Sequence, residues 1–311
     1  MLLYVKGNLF ESPAHVLVNT VNTVGIMGKG IAKTFKSIFP DMFKKYQQLC
    51  EEKKIVVGKL WLFKTPNKWI LNFPTKVKWQ ESSKIEYLES GLKTFVDNYA
   101  DLGITSIAFP PLGCGNGSLN WEKQVQPLME KYLKSLPIDI FIYLYNDSDE
   151  VPEHINIKEV KKWLRSEPRS LGFSEVWEDL KEIIGSGLKL NTTIFKTDVE
   201  YLVNSDHEDR MRIEIKFNTD NNSIKSIFIY YEELIEIWSI IRNYGFITHK
   251  IMPYNYGQCF DEIISLFLRL PYCEEVIISK KYSDLDKSFI GLQLNELNLP
   301  KTEIPQLEMQ F

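Results

Sequence analysis

Cysteine is scarce in this 311-residue chain, and the four present, Cys50, Cys114, Cys259 and Cys273, are scattered. The four histidines, His15, His154, His207 and His249, do not stand near them at metal-ligand spacing. That argues against a zinc site and leaves disulfides unneeded, so neither metal nor cofactor is expected. No apolar run reaches the length that spans a bilayer, and Met1 to Gly7 lack the charged start and long apolar core of a signal peptide. The expected address is cytoplasmic, with no membrane partner. Arginine is absent from residues 1–150, which hold 18 Lys against 15 Asp and Glu, a net charge of +3. The remainder holds 19 Lys and Arg against 26 Asp and Glu, a net charge of −7. A mildly basic half joined to an acidic half suits an anionic ligand on the first and a basic partner on the second, although unevenly solvated surfaces give the same pattern.

What is present begins with residues 18–34, where an apolar run ending in Asn19 and Asn22 breaks into Gly25, Gly28 and Gly30. Glycines between a strand and a helix leave backbone N–H groups uncovered, a natural cradle for phosphate oxygens. A second cluster, Pro110-Pro111-Leu112-Gly113-Cys114-Gly115-Asn116-Gly117-Ser118-Leu119, follows another strand-like run, Ser106 to Phe109. Two such loops could grip one diphosphate from both sides. Neither is a Walker loop, because Gly25-x-x-Gly28-Lys29-Gly30 lacks the four-residue gap and the Ser or Thr after Lys. The dinucleotide fingerprint fails too, for want of an acid ending a second strand.

Taken in order, residues 2–6 and 14–20 read as strands, 30–39 and 41–52 as helices split at Pro40, and 58–63 and 69–73 as strands joined by a turn at Pro66-Asn67. Helix 84–100 ends at Gly103, strand 104–109 precedes helix 121–136, and 138–145 reads as a buried strand. Strands alternating with crossover helices predict an α/β domain over residues 1–150, with ligand loops at the carboxyl ends of strands. Asn146 to Pro152 is polar and ends in proline, so the domain is expected to stop there, followed by a connecting helix within 151–166. Residues 167–311 read as a smaller α+β domain. Its expected elements are a helix at 174–185 capped by Ser174, strands at 188–195, 211–217 and 223–231, and a hairpin turn at Asp220-Asn221-Asn222. Helices at 232–244 and 259–270, a strand at 275–281 and an extended tail complete it.

Gly7-Asn8-Leu9, Val18-Asn19-Thr20-Val21-Asn22, Gly28-Lys29-Gly30-Ile31-Ala32, Asn72-Phe73-Pro74-Thr75-Lys76 and Pro111-Leu112-Gly113-Cys114-Gly115-Asn116-Gly117 together resemble a macro domain. Within that family they look most like the DarG-type DNA ADP-ribosyl glycohydrolases, antitoxins to DarT toxins that ADP-ribosylate DNA bases. The resemblance runs in order through residues 1 to about 146. It implies a three-layer α/β/α sandwich with ADP-ribose in a surface cleft. Residues 24–31, including Met27, would hold the distal ribose and diphosphate, and 113–119 would close over the diphosphate through backbone N–H groups. Asn22 would orient the distal ribose. Lys76 aligns with the lysine the family uses at the anomeric carbon, next to Thr75.

An amine that is partly buried or beside a cation such as Lys78 is a usable nucleophile once uncharged. Lys76 could attack C1″ or engage the opened sugar as a Schiff base; a protonated Lys76 could instead orient substrate electrostatically. Trp79 is a candidate platform for stacking an unpaired base, with filling of a core edge as the alternative. Two departures from the family pattern matter. Asn8 stands where macro domains usually place an Asp that accepts from the adenine amine, and Asn116-Gly117-Ser118 has no acid where related glycohydrolases carry one. General acid-base help must then come from water, substrate or elsewhere.

The acidic half suggests contact with a basic, DNA-handling toxin through Asp206, Glu208, Asp209, Glu232-Glu233, Asp261-Glu262 and Glu274-Glu275, against the alternative of solvated faces and turns. The leading expectation is an antitoxin enzyme that hydrolyses the bond between ADP-ribose and a nucleobase, thymine or guanine, on single-stranded DNA. The alternatives are a non-catalytic ADP-ribose-binding module that neutralises a toxin by contact, and a hydrolase of protein-linked ADP-ribose.

Overall fold

Val16–Val21, strand β2, is buried on both faces, and a strand without a solvent side needs a neighbour on each edge and a helical layer above and below. The computed structural model, which describes residues 1–144, 155–218, 224–278 and 289–295, supplies both. β1 (Leu2–Lys6), β2, β3 (Trp61–Lys64), β4 (Trp69–Pro74), β5 (Ser106–Phe109) and β6 (Asp139–Leu144) form one sheet in the order β1-β6-β5-β2-β4-β3. All neighbours are parallel except the edge pair β3 and β4.

The side-chain period of two then sorts the apolar residues into two cores. Val16, Val18, Phe73, Ile107 and Phe109 face helices α3 (Ile85–Asn98) and α4 (Gln126–Leu133). Leu17, Ile70, Ala108 and Tyr143 face α1 (Gly30–Ile38) and α2 (Pro40–Glu51). This is a three-layer α/β/α sandwich, as expected. Pro40 opens α2 at its first turn, where its missing N–H costs nothing, and Gly103 takes φ +73° past the end of α3. The expected helix 121–136 opens with a π turn at Trp121–Val125 before α4 begins.

Topology places the site. The chain leaves β2 toward the α1/α2 face and leaves β5 toward the α4 face, so two adjacent parallel strands send their exit loops in opposite directions. A crevice opens between such loops at the carboxyl edge of the sheet. Both glycine clusters lie there.

The chain divides into two compact units, Met1–Lys161 and Lys162–Phe311, with the division inside α5 (Ile157–Ser166), the helix expected as a connector. In the second unit Arg165 meets Asp179 of α6 (Phe173–Ile184) at 2.5 Å and Glu175 at 3.6 Å, and the Tyr272 hydroxyl donates to Asp179 at 2.9 Å. Strands β7 (Leu188–Asn191), β8 (Asp198–Ser205), β9 (Met211–Asn218) and β10 (Ile224–Tyr230) form an antiparallel sheet in the order β10-β9-β8-β7. Helix α7 (Tyr231–Tyr244) follows with a capping box from Glu233, and Gly245 ends it at φ +83°. Strand β11 (Phe246–Ile247), helix α8 (Phe260–Phe267), β12 (Cys273–Ile278) and β13 (Phe289–Leu294) follow among the described residues, the strands in the order β11-β13-β12.

Three expectations need correction. Ser174 is not the cap of α6; Gly172 is, because Phe173 is drawn into the helix by burial against Trp177 and Tyr231. Residues 198–205, given no structure from sequence, form the long strand β8, and the expected tail contains β13. The expected turn at Asp220-Asn221-Asn222 lies outside the described residues. No helix among the described residues is long and apolar enough to cross a membrane.

A Cβ at Gly91 of α3 would stand 2.3 Å from the Phe73 ring, so the helix lies directly on the strand that leads to Lys76. Gly91→Ala is expected to destabilise the full-length chain by about 1 to 3 kcal/mol, read as a lower midpoint of urea unfolding. An unchanged midpoint would mean that the ring is not packed on the helix.

Candidate functional site

Strands β2 and β4 run in register with Asn19 opposite Asn72 and Val21 opposite Pro74. Their pairing continues beyond the strands. The Thr75 amide donates to the Val21 carbonyl at 2.9 Å, and the Thr23 amide and hydroxyl both donate to the Val77 carbonyl at 3.0 Å. Residues 22–23 and 75–77 are therefore held side by side, which sets Asn22 and Lys76 at adjacent strand exits.

Asn22 folds the first glycine loop. Its Oδ1 accepts from the Val24 amide at 3.1 Å and the Ile26 amide at 3.2 Å, while its Nδ2 donates to the Ile26 carbonyl at 2.6 Å. From below, the Tyr46 hydroxyl donates to the Asn22 carbonyl at 2.6 Å and lies 3.1 Å from Oδ1, and Gln47 reaches the Gly25 carbonyl. Burial pushes the Tyr46 phenol well above its ordinary value, so at neutral pH it remains a proton donor. Gly25 takes φ +81° against Gln47 and Cys50 of α2, and Met27 and Gly28 are buried behind it. Sequence reading missed Tyr46 and Gln47, whose spacing fits an ordinary core face of α2.

The loop ends at α1. Lys29 occupies the N-cap without a side-chain cap bond, and the first turn, from Gly30 and Ile31 onward, contains no acid. The helix dipole and its orphan N–H groups thus meet no carboxylate of their own first turn.

The second glycine loop is tied to itself by Cys114 N to Pro111 O (3.2 Å), Ser118 N to Gly115 O (3.1 Å) and Leu119 N to Gly113 O (3.0 Å). Ser83, another residue that sequence reading missed, buttresses it. The Ser83 amide donates to the Gly117 carbonyl at 3.0 Å, and a Cβ at Gly117 would lie 2.2 Å from the Ser83 Oγ. Gly117 is therefore required by close approach, whereas Gly113 also takes φ +67°. Gly115 projects into open space, and Ser118 adopts φ +60°. Burial pushes the half-buried Cys114 thiol up to about 12, which removes it as a thiolate nucleophile at neutral pH.

Lys76 joins the parts. It is only 6% exposed, and its Nζ donates to the Asn116 carbonyl at 2.5 Å and to the Trp79 carbonyl at 3.4 Å. Asn116 in turn lies against Gly30, where a Cβ would stand 2.8 Å from its Nδ2. Lys76, Asn116 and the start of α1 thus form one cluster from three distant parts of the sequence.

Several predicted contact residues contribute differently. Trp79 is fully buried, so its ring has no open face on which a base could stack; its carbonyl is what reaches the site. Leu9, Asn19, Met27 and Leu112 are also enclosed, at 0 to 2% exposure, and Asn19 pairs with Asn72 at 3.0 Å. Their side chains hold strands and loops in place. Thr75 is buried at the end of β4, and Pro111 is half-buried at the start of the second loop. Asn8 follows β1 on the same edge of the sheet and caps a short turn at Leu9–Glu11, its Oδ1 accepting from the Phe10 amide at 3.1 Å.

The sequence profile described as "Macro domain" matches residues 18–128. The "DNA ADP-ribosyl glycohydrolase" of Thermus aquaticus is 42% identical over 147 residues, covering 46% of this chain and 41% of that protein. A "DNA ADP-ribosyl transferase-DNA ADP-ribosyl glycohydrolase fusion protein" of Thermosipho africanus is 41% identical over 162 residues, covering 46% and 42%. The match therefore spans about two fifths of the length of these curated relatives. Among solved structures, the "Macrodomain of Thermus aquaticus DarG" is 43% identical, with 46% of this chain and 97% of that one covered and a TM-score of 0.44. Residues 18–128, within the amino-terminal unit, thus match the macro domain family.

Proposed function

We propose that the chain is an ADP-ribosyl glycohydrolase that releases ADP-ribose from nucleobases of single-stranded DNA, with thymine and guanine adducts as candidate substrates. The observation that carries this reading is the nearly enclosed Lys76 amine, bonded to the carbonyl of Asn116 in the second glycine loop, a residue whose side chain lies against the start of α1. The diphosphate takes the N-terminus of α1 and the backbone amides of residues 113–119, where dipole and orphan N–H groups favour an anion. The distal ribose then reaches the Asn22 and Lys76 strand exits. Neither glycine loop carries a carboxylate. In its uncharged form the amine attacks C1″, and the base departs with the bonding electrons while water relays to it the proton that the new ammonium loses. A second water then adds to C1″ and frees the amine. The names of the Thermus and Thermosipho relatives support the nucleobase-linked substrate.

The Thermosipho fusion also supports a DNA-modifying transferase as partner, and we assign its docking to the acidic second unit. The structure narrows the expected acids. Desolvation raises the Asp206 carboxyl, but the Arg210 and Glu208 amides and the Arg210 guanidinium outweigh it and hold the group at about 2. Asp261 is buried, accepting from the Ile194 amide at 2.8 Å and the Phe195 amide at 2.7 Å. Glu233 caps α7 and Glu274 accepts from Gln293. Glu232 and Glu275 are exposed.

Lys76→Met is expected to lower kcat/KM on an ADP-ribosylated oligonucleotide by at least about 100-fold while ADP-ribose affinity changes only about threefold. Unchanged turnover would remove the amine from the chemistry. Absence of turnover in the unmodified protein, with ADP-ribose still bound, would favour a binding module; release from ADP-ribosylated protein alone would shift the substrate class.

Iodoacetamide at pH 8 should leave activity intact and label Cys114 at least about 100-fold more slowly than a free thiol, because thiolate appears only near the raised value. Rapid labelling with loss of turnover would contradict this. In a low-salt pull-down with a DarT-type toxin, Glu232→Lys with Glu275→Lys should cut capture about tenfold. Equal capture would place the docking surface elsewhere.

A further inference from the structure

The Lys76 amine is held partly by the backbone of another loop, so something must hold that backbone. The Asn116 carbonyl receives Nζ at 2.5 Å, while the side chain of the same residue lies so close to Gly30 that a Cβ there would stand 2.8 Å from Nδ2. Gly30 is the first residue of α1, at φ +56°. The rest of the loop has little freedom to compensate. Ser83 closes against Gly113 and Gly117 on one side, and the bonds of Ser118 to Gly115 and Leu119 to Gly113 flank Asn116. The Asn116 side chain adds to these a contact with the start of α1, next to the carbonyl that receives the amine.

We propose that Asn116 is a positioning residue for Lys76: its amide, seated against Gly30, fixes its own carbonyl over the amine. The separation between the amine and the start of α1 is then set by one residue that touches both. This inference rests on the glycohydrolase reading for its functional meaning, because that reading puts the diphosphate at α1 and the reacting carbon at Lys76. Asn116 acts as a gauge of that separation. A methyl group at Gly30 would have to push the Asn116 amide aside, and φ +56° there strains any larger residue as well.

The test uses the full-length chain with Asn116→Ala, Asn116→Gln, Gly30→Ala and Lys76→Met. It measures kcat and KM on an ADP-ribosylated oligonucleotide, the Kd of ADP-ribose, and the rate of acetylation of the Lys76 amine by acetic anhydride across pH. Thermal unfolding is followed alongside to confirm folding. Asn116→Ala should lower kcat about 10- to 100-fold with the Kd of ADP-ribose within about threefold, and should speed acetylation of Lys76 several-fold. Gly30→Ala should change kcat and acetylation in the same direction, and Asn116→Gln should recover part of the loss. Unchanged kcat and acetylation in Asn116→Ala would overturn the proposal. So would parallel losses of kcat and affinity with unchanged acetylation, which would make Asn116 a ligand contact only. Full turnover in Lys76→Met would sink the glycohydrolase mechanism instead, and the acetylation rates would still decide whether Asn116 holds the amine.

Discussion

The site depends on parallel pairing that outlasts the strands. Sheet hydrogen bonding between β2 and β4 extends through Thr75 to Val21 and Thr23 to Val77, so two connecting loops leave the sheet as a pair. Without it Asn22 and Lys76 would be tethered to neighbouring strands but free to swing. With it, backbone bonds determine where an amine can stand relative to the first glycine loop. The second loop approaches from β5, whose exit toward the opposite helical layer leaves the crevice that both loops line.

Much of this first unit was legible in the sequence. The apolar runs of β2, β4 and β6, the glycine clusters at strand exits, and the break at Pro40 each have a local physical cause that a sequence displays. What could not be read joins distant positions: Lys76 to Asn116 across 40 residues, and Asn19 to Asn72 across 53. Trp79 illustrates the limit, since an aromatic after a functional lysine reads equally well as a platform or as filling. Ser83 gives no signal at all, because its role comes from the lack of a side chain at Gly117.

The second unit was harder to read for reasons its strands make plain. In β8, Val199, Tyr201 and Val203 alternate with Asp198, Glu200 and Asn204, a strand period blurred by Leu202 and by the low strand propensity of Asp, Glu and Asn. In β13, Gly291 weakens the strand pattern, yet it is needed because a Cβ there would stand 2.7 Å from the Ile247 carbonyl of neighbouring β11. Its acidic composition misleads in a similar way. Asp206, Glu233 and Asp261 serve turns, a helix start and loop amides, so net charge overstates the carboxylates available to another molecule.

The Lys76 amine donates to main-chain carbonyls, among them those of Trp79 and Asn116. A carbonyl is the same whichever residue bears it. The acceptor atoms of these two bonds thus do not depend on which side chain stands at 79 or 116, whereas Gly117, where a Cβ would stand 2.4 Å from the Gly113 carbonyl, and Gly30, at φ +56°, have little latitude. In this pocket heredity would guard the empty places more strictly than some of the filled ones.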